Sequence, residues 1–188
     1  DSASLMNKIL EVIEAHKLFQ VELRKFEIII HPESLIHAVI ELKNGLHKFI
    51  YHETSMLIPL SNAIFDGDID INTVLKKELR TKKSIFFQKL NFIQVDKKKF
   101  PIVNLKSRLN EYTSTSIIIN AVNEILVDQF LSKKIPFMSF YKYILKVLND
   151  RNYKEYAIKE AKNINQILQI DQWARNLTLK NIIKNKNV

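Results

Sequence analysis

Residues 1–19 read DSASLMNKILEVIEAHKLF, and this stretch is the starting point for interpreting the chain. With successive helical residues about 100° apart, its polar side chains fall within an arc of roughly 120°. These polar residues are Ser4, Asn7, Lys8, Glu11 and Glu14. The opposite side is apolar and consists of Leu5, Met6, Ile9, Leu10, Val12 and Ile13. The pattern predicts an amphipathic helix with Ser2 and Ser4 as candidate N-caps.

The polar face of this helix has two interpretations. Lys8 and Glu11 are three residues apart, and such a pair is often an ordinary solvated ion pair on a surface helix. Alternatively, the free N–H groups of the helix start lie beside an ammonium, an amide and a carboxylate, which together suit an anion and a divalent metal. The pattern alone favours the solvated pair.

Composition limits the classes of protein that remain. A chain of 188 residues with 46% hydrophobic residues can form one globular domain or two small ones. The absence of cysteine excludes disulfides, thiolate metal sites and a cysteine nucleophile, and it is compatible with a reducing cytosol. No apolar stretch approaches the roughly 20 residues that span a bilayer, so no membrane partner is predicted.

The formal charge of +9 raises nucleic acid as a partner, since 29 Lys and Arg outnumber 20 Asp and Glu. Lysines cluster at 76–83, 97–99 and 180–186. These clusters lack the arginines, glycines and stacking aromatics that a nucleic-acid surface combines. We therefore predict no nucleic-acid partner.

The middle of the chain contains strand patterns. Three runs are rich in strand-forming residues: Phe26–Ile30, Leu35–Leu42 and Leu46–Tyr51. Asn44-Gly45 predicts a two-residue type I′ hairpin loop, and the three runs together predict a meander. The histidines here lack metal-ligand spacing, and His31 before Pro32 is interpreted as a turn residue bound to the backbone.

The second half of the sequence is helical in pattern. Helices are predicted at Ile117–Leu131, Phe137–Leu148, Tyr153–Lys162 and Asp171–Lys184, with Asp171 as the N-cap of the last. The apolar residues of the first of these helices are predicted to form bundle core: Ile118, Ala121, Val122, Ile125, Phe130 and Leu131. Asn120 and Glu124, at i and i+4, are interpreted as a structural hydrogen bond. The predicted fold class is α+β, with a small, mostly antiparallel sheet followed by an all-helical C-terminal bundle.

Several strings of residues resemble one enzyme family. DSAxxMNKxLExIEAxxLF, IHPESLIHAV, the Asn120–Glu124 string NAVNE and QIDQWAR resemble 1-deoxy-D-xylulose 5-phosphate reductoisomerase, the NADPH-dependent enzyme of the non-mevalonate isoprenoid pathway. The resemblance implies that Ser2, Asn7 and Lys8 bind the phosphate and hydroxyl groups of a small phosphorylated sugar. It also implies that Glu11 is a substrate and Mn²⁺ or Mg²⁺ ligand, and that Lys8 and Glu11 are the catalytic residues.

The resemblance also implies an organisation. Residues 1–65 correspond to the catalytic and connective domain, 66–100 to a linker and 101–188 to the C-terminal helical domain. Gly45 and Gly67 are the only glycines, so no G-x-G-x-x-G is present and NADPH is expected to bind mainly to a missing N-terminal domain. We therefore expect a C-terminal fragment, with sequence missing upstream of Asp1.

Further expectations follow from the family. They are a homodimer that forms through the sheet, and a cytoplasmic or plastid-type location. The sequence departs from the family at Ile9, where a glycine is usual, and at Glu53–Met56 and Phe65-Asp66, which replace a PDM loop and a Trp-Pro. The alternatives are a catalytically silent interaction domain of the same fold and, less favoured, a basic helical nucleic-acid-binding domain.

Overall fold

The computed structural model describes residues 1–70, 73 and 89–186 of the chain. The helices of this part are α1 (Met6–Phe19), α2 (Leu57–Ile64), α3 (Thr115–Leu131), α4 (Phe140–Leu148), α5 (Tyr153–Ala157) and α6 (Ile164–Lys186). The strands are β1 (Ile29–Ile30), β2 (Ile36–Glu41), β3 (His47–Tyr51) and β4 (Ile93–Gln94). Short 3₁₀ helices cover Ser2–Ser4, Leu23–Lys25, Pro101–Arg108 and Phe137–Ser139. The predicted α+β class is confirmed. None of these helices is long and apolar enough to cross a membrane.

The chain divides into two compact units. One unit contains Asp1–Ile28 and Asp96–Val188, and the other contains Ile29–Val95. This division groups α1 with the C-terminal helices, because the apolar side of α1 is buried in their core. The sequence-based division into 1–65, 66–100 and 101–188 is a different one and stays a prediction. Residues 71, 72 and 74–88 of its predicted linker lie outside the described residues.

Helix α3 is the central element of the helical unit. Its Ile118, Ile119, Val122 and Leu126 side chains are completely buried. Sequence analysis had also placed Phe130 and Leu131 in the core, but they are 38% and 72% exposed. That expectation was wrong, because both residues belong to the last turn of α3, where the helix ends at Leu131.

The last helix begins earlier than predicted. Helix α6 starts at Ile164, so Asp171 lies within it and is not its N-cap. Asn163 has that place instead, since its Oδ1 accepts a hydrogen bond from the Gln166 backbone N–H at 3.0 Å. Asp171 pairs with Arg175, one turn on, at 2.6 Å. Helix α5 is also shorter than predicted and ends at Ala157.

The strands form two separate antiparallel pairs. Strand β1 pairs with β4, and β2 pairs with β3. The predicted three-stranded meander is therefore wrong. His31 and Glu33, just after β1, hold the segment before β4: the His31 ring nitrogen Nδ1 lies 2.7 Å from the Asn91 carbonyl, and Glu33 accepts the Asn91 N–H at 3.1 Å. The predicted backbone hydrogen bond of His31 is confirmed.

The hairpin between β2 and β3 has a longer loop than predicted. The Leu42 N–H donates to the Leu46 carbonyl at 2.9 Å, which leaves three residues, Lys43–Gly45, in the loop. Gly45 has a φ of 84°, whereas Asn44 is not in the left-handed region. A type I′ turn needs positive φ at both central positions, so the two-residue loop was the wrong prediction.

Tyr153 provides a test of the packing beneath α3. Its hydroxyl lies 2.7 Å from Thr115 Oγ1, and burial is the main cause that raises the pKa of Tyr153 to about 12. The phenol of the unfolded chain ionises near pH 10, so the free energy of unfolding should fall as pH rises from about 10 to 12. Urea denaturation over this range should show a smaller fall for Tyr153→Phe. An equal fall in both proteins would contradict the assignment.

Candidate functional site

A short turn precedes α1 and determines how the helix begins. Residues Ser2–Ser4 form a single 3₁₀ turn, and Leu5, with a φ of 64°, is the N-cap of α1. The prediction of Ser2 or Ser4 as N-cap was therefore wrong. A left-handed conformation costs a residue other than glycine about 1–2 kcal/mol, so the surrounding contacts must hold Leu5 in place.

Ser4 differs most from its predicted place. It was assigned to the polar face, but it is only 6% exposed. Its hydroxyl donates to the Asp1 carbonyl at 3.0 Å and accepts from the Met6 N–H at 3.3 Å. Because α1 begins at Met6, Ser4 is outside the helix and the helical spacing does not apply to it. Ser4 closes the turn.

The structure brings the four predicted site residues together in two adjacent pairs. The Asn7 amide donates to Ser2 Oγ at 2.9 Å. The Lys8 ammonium lies 2.6 Å from Glu11 Oε2, and these two side chains are 44% and 54% exposed. Asn7 is four residues before Glu11, so the pairs lie beside each other on one side of α1. We call these four residues the polar start of α1.

The polar start can bind an anion without rearrangement of the backbone. It offers the hydroxyl of Ser2, the amide of Asn7 and the ammonium of Lys8, which are donors suited to phosphate oxygens. The Lys8 ammonium must leave Glu11 or be shared with it, and in an exposed ion pair this costs little free energy. The same movement releases the Glu11 carboxylate for a cation.

A metal site at this point would be incomplete. Glu11 is a hard oxygen ligand of the kind that Mg²⁺ and Mn²⁺ accept. Within residues 1–70, 73 and 89–186, however, no three His, Asp or Glu side chains lie close enough together to hold a metal ion. Glu11 therefore fits as one ligand of a divalent metal, and other groups must supply the rest.

The apolar side of α1 explains the departure at Ile9. Met6 and Ile9 are completely buried, and Val12 is 6% exposed. Ile9 is thus part of the helical core, on the side of α1 away from the polar start. Its branched side chain is therefore accommodated in the core and not at the polar start.

One polar residue near the site was missed by sequence reasoning. Asn123, on α3, is 2% exposed, and its amide donates to the Asp1 carboxylate at 3.0 Å. Sequence reasoning had concentrated on Asn120 and Glu124, whose predicted hydrogen bond is confirmed at 2.9 Å. Asn123 has the helical spacing of the buried residues Ile119 and Leu126, and this was the available signal.

The fold and the polar start define a class of protein: an α+β chain whose helical unit carries a helix start with donors suited to an anion and one carboxylate suited to a divalent metal. Comparison with known proteins gives the family. The family model described as "DXP reductoisomerase C-terminal domain" matches residues 53–177. The chain belongs to the DXP reductoisomerase family.

Individual relatives agree with this assignment. The 1-deoxy-D-xylulose 5-phosphate reductoisomerase of Pelagibacter ubique (strain HTCC1062) is 33% identical over 92% of this chain and 44% of its own length. That of Wolbachia sp. subsp. Brugia malayi (strain TRS) is 36% identical over 99% and 46%. The Zymomonas mobilis enzyme, solved in complex with NADPH, is 29% identical over 97% of this chain and 46% of its own, with a TM-score of 0.81. The chain spans about half the length of the relatives it matches.

The burial of Ile9 allows a test of how α1 is anchored in the helical core. Ile9→Ala should lower the free energy of unfolding by about 2–5 kcal/mol, because it leaves a cavity in the core. Leu18→Ala is the matched control, since Leu18 is on the same helix but is 75% exposed, and it should change stability by no more than about 0.5 kcal/mol. Urea denaturation measures both. Equal losses would mean that α1 is not anchored through Ile9.

Proposed function

We propose that this chain is the C-terminal part of a 1-deoxy-D-xylulose 5-phosphate reductoisomerase. The proposed activity is the NADPH-dependent and divalent-metal-dependent isomerisation and reduction of 1-deoxy-D-xylulose 5-phosphate to 2-C-methyl-D-erythritol 4-phosphate. The observation that carries the proposal is the polar start of α1, where the four residues matched to the family's substrate and metal ligands lie side by side. The family membership of the chain supports it.

Three residues of the polar start are proposed to bind the substrate. Ser2 and Asn7 are already joined by a hydrogen bond, so their donors are held at one place before a ligand arrives. Preorganisation of this kind lowers the entropic cost of binding. Lys8 adds a compact positive charge that favours the phosphate or hydroxyl oxygens of the sugar. Together these groups orient the substrate and exclude other positions.

Glu11 is proposed as a ligand of Mn²⁺ or Mg²⁺. A divalent metal, when bound, supplies charge stabilisation to the oxygens of the sugar. Glu11 contributes one carboxylate oxygen to the metal and, through its pairing with Lys8, keeps that ammonium at the site when the metal is absent. The remaining ligands are proposed to come from the part of the enzyme that this chain does not include.

NADPH is proposed to bind mainly outside this chain. One neighbouring structure is a DOX-P reductoisomerase in complex with NADPH, fosmidomycin and magnesium, and this chain covers 46% of it with a TM-score of 0.84. With only two glycines, the chain has no glycine-rich turn for a dinucleotide. A cytoplasmic or plastid-type location stays part of the proposal.

We further propose that the enzyme is a homodimer and that the β2–β3 hairpin forms the contact. Val39 and Phe49 are opposite each other in this hairpin and are 46% and 53% exposed. Ile40 and Ile50, on the other face, are 44% and 48% exposed. A two-stranded hairpin that exposes apolar side chains on both faces is marginal in water by itself, and burial against a second copy would stabilise it.

Substitutions of Lys8 and Glu11 in the full-length enzyme test the activity, and they should fail in different ways. Loss of an outer partner of a metal ligand already costs about 10–100-fold in affinity, so Glu11→Gln should weaken Mn²⁺ binding by at least about tenfold and abolish most turnover. Lys8→Ala removes a charged hydrogen bond worth about 1.5–3 kcal/mol, which is about one to two decades in substrate affinity. Its metal affinity should change little.

The matched controls are Glu27→Gln and Lys17→Ala, which make the same chemical changes at two exposed residues, one that follows α1 in sequence and one in its last turn. Titration of Mn²⁺ and of substrate into all four variants, together with steady-state kinetics, separates the roles. If Glu11→Gln binds Mn²⁺ like the wild type, then the polar start is only a solvated helix face. A full-length protein without reductoisomerase activity would instead favour the alternative, a catalytically silent interaction domain of the same fold.

Phe49→Glu tests the dimer contact. Lys48→Glu, at the adjacent residue on the opposite face of the hairpin, is the control. Two buried carboxylates across a dimer axis would lack compensation, so Phe49→Glu should raise the dimer dissociation constant by at least about a hundredfold, or about 2.7 kcal/mol. Sedimentation velocity over a concentration series measures this constant. A wild-type protein that stays monomeric at high concentration would contradict the proposed dimer.

A further inference from the structure

One residue of α3 reaches across the helical unit to the start of the chain. Asn123 Nδ2 donates to Asp1 Oδ1 at 3.0 Å, and this bond joins residues 122 positions apart. Its neighbours Asn120 and Glu124 have another role, since they are hydrogen-bonded to each other and Glu124 is ion-paired with Arg175 of α6. Within the string NAVNE, Asn120 and Glu124 therefore bind each other and α6. Asn123 instead binds Asp1, where the turn before α1 begins.

Packing alone does not account for an asparagine at this position. Asn123 is 2% exposed, and its side-chain oxygen Oδ1 is buried with no hydrogen-bond partner in the described part of the chain. A buried polar atom without a partner costs free energy, because it loses its hydrogen bonds to water and gains none in return. An apolar residue of similar size, like the adjacent Val122, would avoid this cost. The amide is thus explained by the carboxylate that it holds.

Asp1, which carries this carboxylate, is the residue at which the turn before α1 begins. The Asp1 carbonyl accepts two hydrogen bonds at 3.0 Å, one from the Ser4 hydroxyl and one from the Met6 N–H, which is the first of α1. Asp1 is thereby fixed at its side chain by α3 and at its carbonyl by the turn. Its position determines that of Ser2, the next residue.

The turn needs such an anchor because it is strained. Leu5 has a φ of 64°, a conformation that costs a leucine free energy and that persists only when its surroundings fix it. If Asp1 were released, the turn could relax and Ser2 would move away from Asn7. The hydrogen bond between Asn7 and Ser2, at 2.9 Å, would then be lost.

We propose that Asn123 is a positioning residue for substrate binding: by holding the Asp1 carboxylate, its amide fixes the turn Asp1–Leu5 and keeps Ser2 beside Asn7. The proposal rests on the proposed function, in which Ser2 and Asn7 bind the phosphorylated sugar. Asn123 itself touches neither substrate nor metal. Its effect is transmitted through Asp1.

The test compares two substitutions on α3 in the full-length enzyme. Asn123→Leu keeps the size of the side chain and removes the amide. Asn120→Leu makes the identical change one turn earlier, at a residue bound to Glu124 and not to Asp1. Loss of one hydrogen bond to a charged substrate group costs about tenfold to a hundredfold in affinity, so Asn123→Leu should raise the KM for 1-deoxy-D-xylulose 5-phosphate by about that factor. Asn120→Leu should leave KM within about threefold of the wild-type value.

A second pair of variants addresses the partner. Asp1→Asn keeps the acceptor oxygen at Asp1 and should retain most of the substrate affinity, whereas Asp1→Ala should raise KM as Asn123→Leu does. The double variant Asp1→Ala with Asn123→Leu should be no worse than either single one, because both remove the same bond. Additive increases in KM would overturn the proposal, since the two residues would then act independently.

Hydrogen exchange measured by mass spectrometry separates this inference from the proposed function. Asn123→Leu should speed exchange at least about tenfold in the peptide 1–9 but not in 10–19, and Asn120→Leu should change neither. If Asn123→Leu speeds exchange but the wild-type protein has no reductoisomerase activity, Asn123 anchors the turn and the proposed function is refuted. Unchanged exchange and unchanged KM for Asn123→Leu in an active enzyme would overturn the positioning role alone.

Discussion

The burial of Met6, Ile9 and Val12 in the helical core is the constraint on which the site depends. These three side chains fix the rotation of α1 about its own axis, because a rotation by one residue, about 100°, would expose them. Full burial of such a side chain contributes about 1.5–3 kcal/mol, which is more than the exposed Lys8–Glu11 pair can contribute. Asn7, Lys8 and Glu11 therefore face outward as a consequence of apolar packing on the other side of the helix.

The turn before α1 adds a second constraint that packing of the helix does not supply. Ser2 precedes the helix, so its place depends on the backbone between Asp1 and Leu5. Leu5 is held in an unfavourable conformation there, and the free-energy cost is offset by the hydrogen bonds to Asp1 and Ser4. A long-range contact from α3 and a local strained residue thus act on the same short segment. This arrangement fixes the turn that leads into the polar start of α1.

Sequence alone was sufficient for the features that depend on local periodicity. The apolar face of α1, the boundaries of α3 within two residues and the Asn120–Glu124 hydrogen bond were predicted from spacing, and the structure confirms them. Pairing partners were not predictable in this way. Periodicity shows which side of an element is buried but not what covers it, so the pairing of β1 with β4 and the contact of Asn123 with Asp1 were missed. Ser4 was misplaced because the helix starts two residues after it.

We propose that the polar start of α1 binds the substrate and one side of a divalent metal. A crystal structure of the full-length protein with Mn²⁺ and 1-deoxy-D-xylulose 5-phosphate, with the metal located by its anomalous signal, tests it most directly. We expect a metal about 2.1 Å from a Glu11 carboxylate oxygen, with the Lys8 ammonium moved from Glu11 to a substrate oxygen. A metal bound elsewhere, with the Lys8–Glu11 pair intact and Ser2 and Asn7 free of substrate, would contradict it.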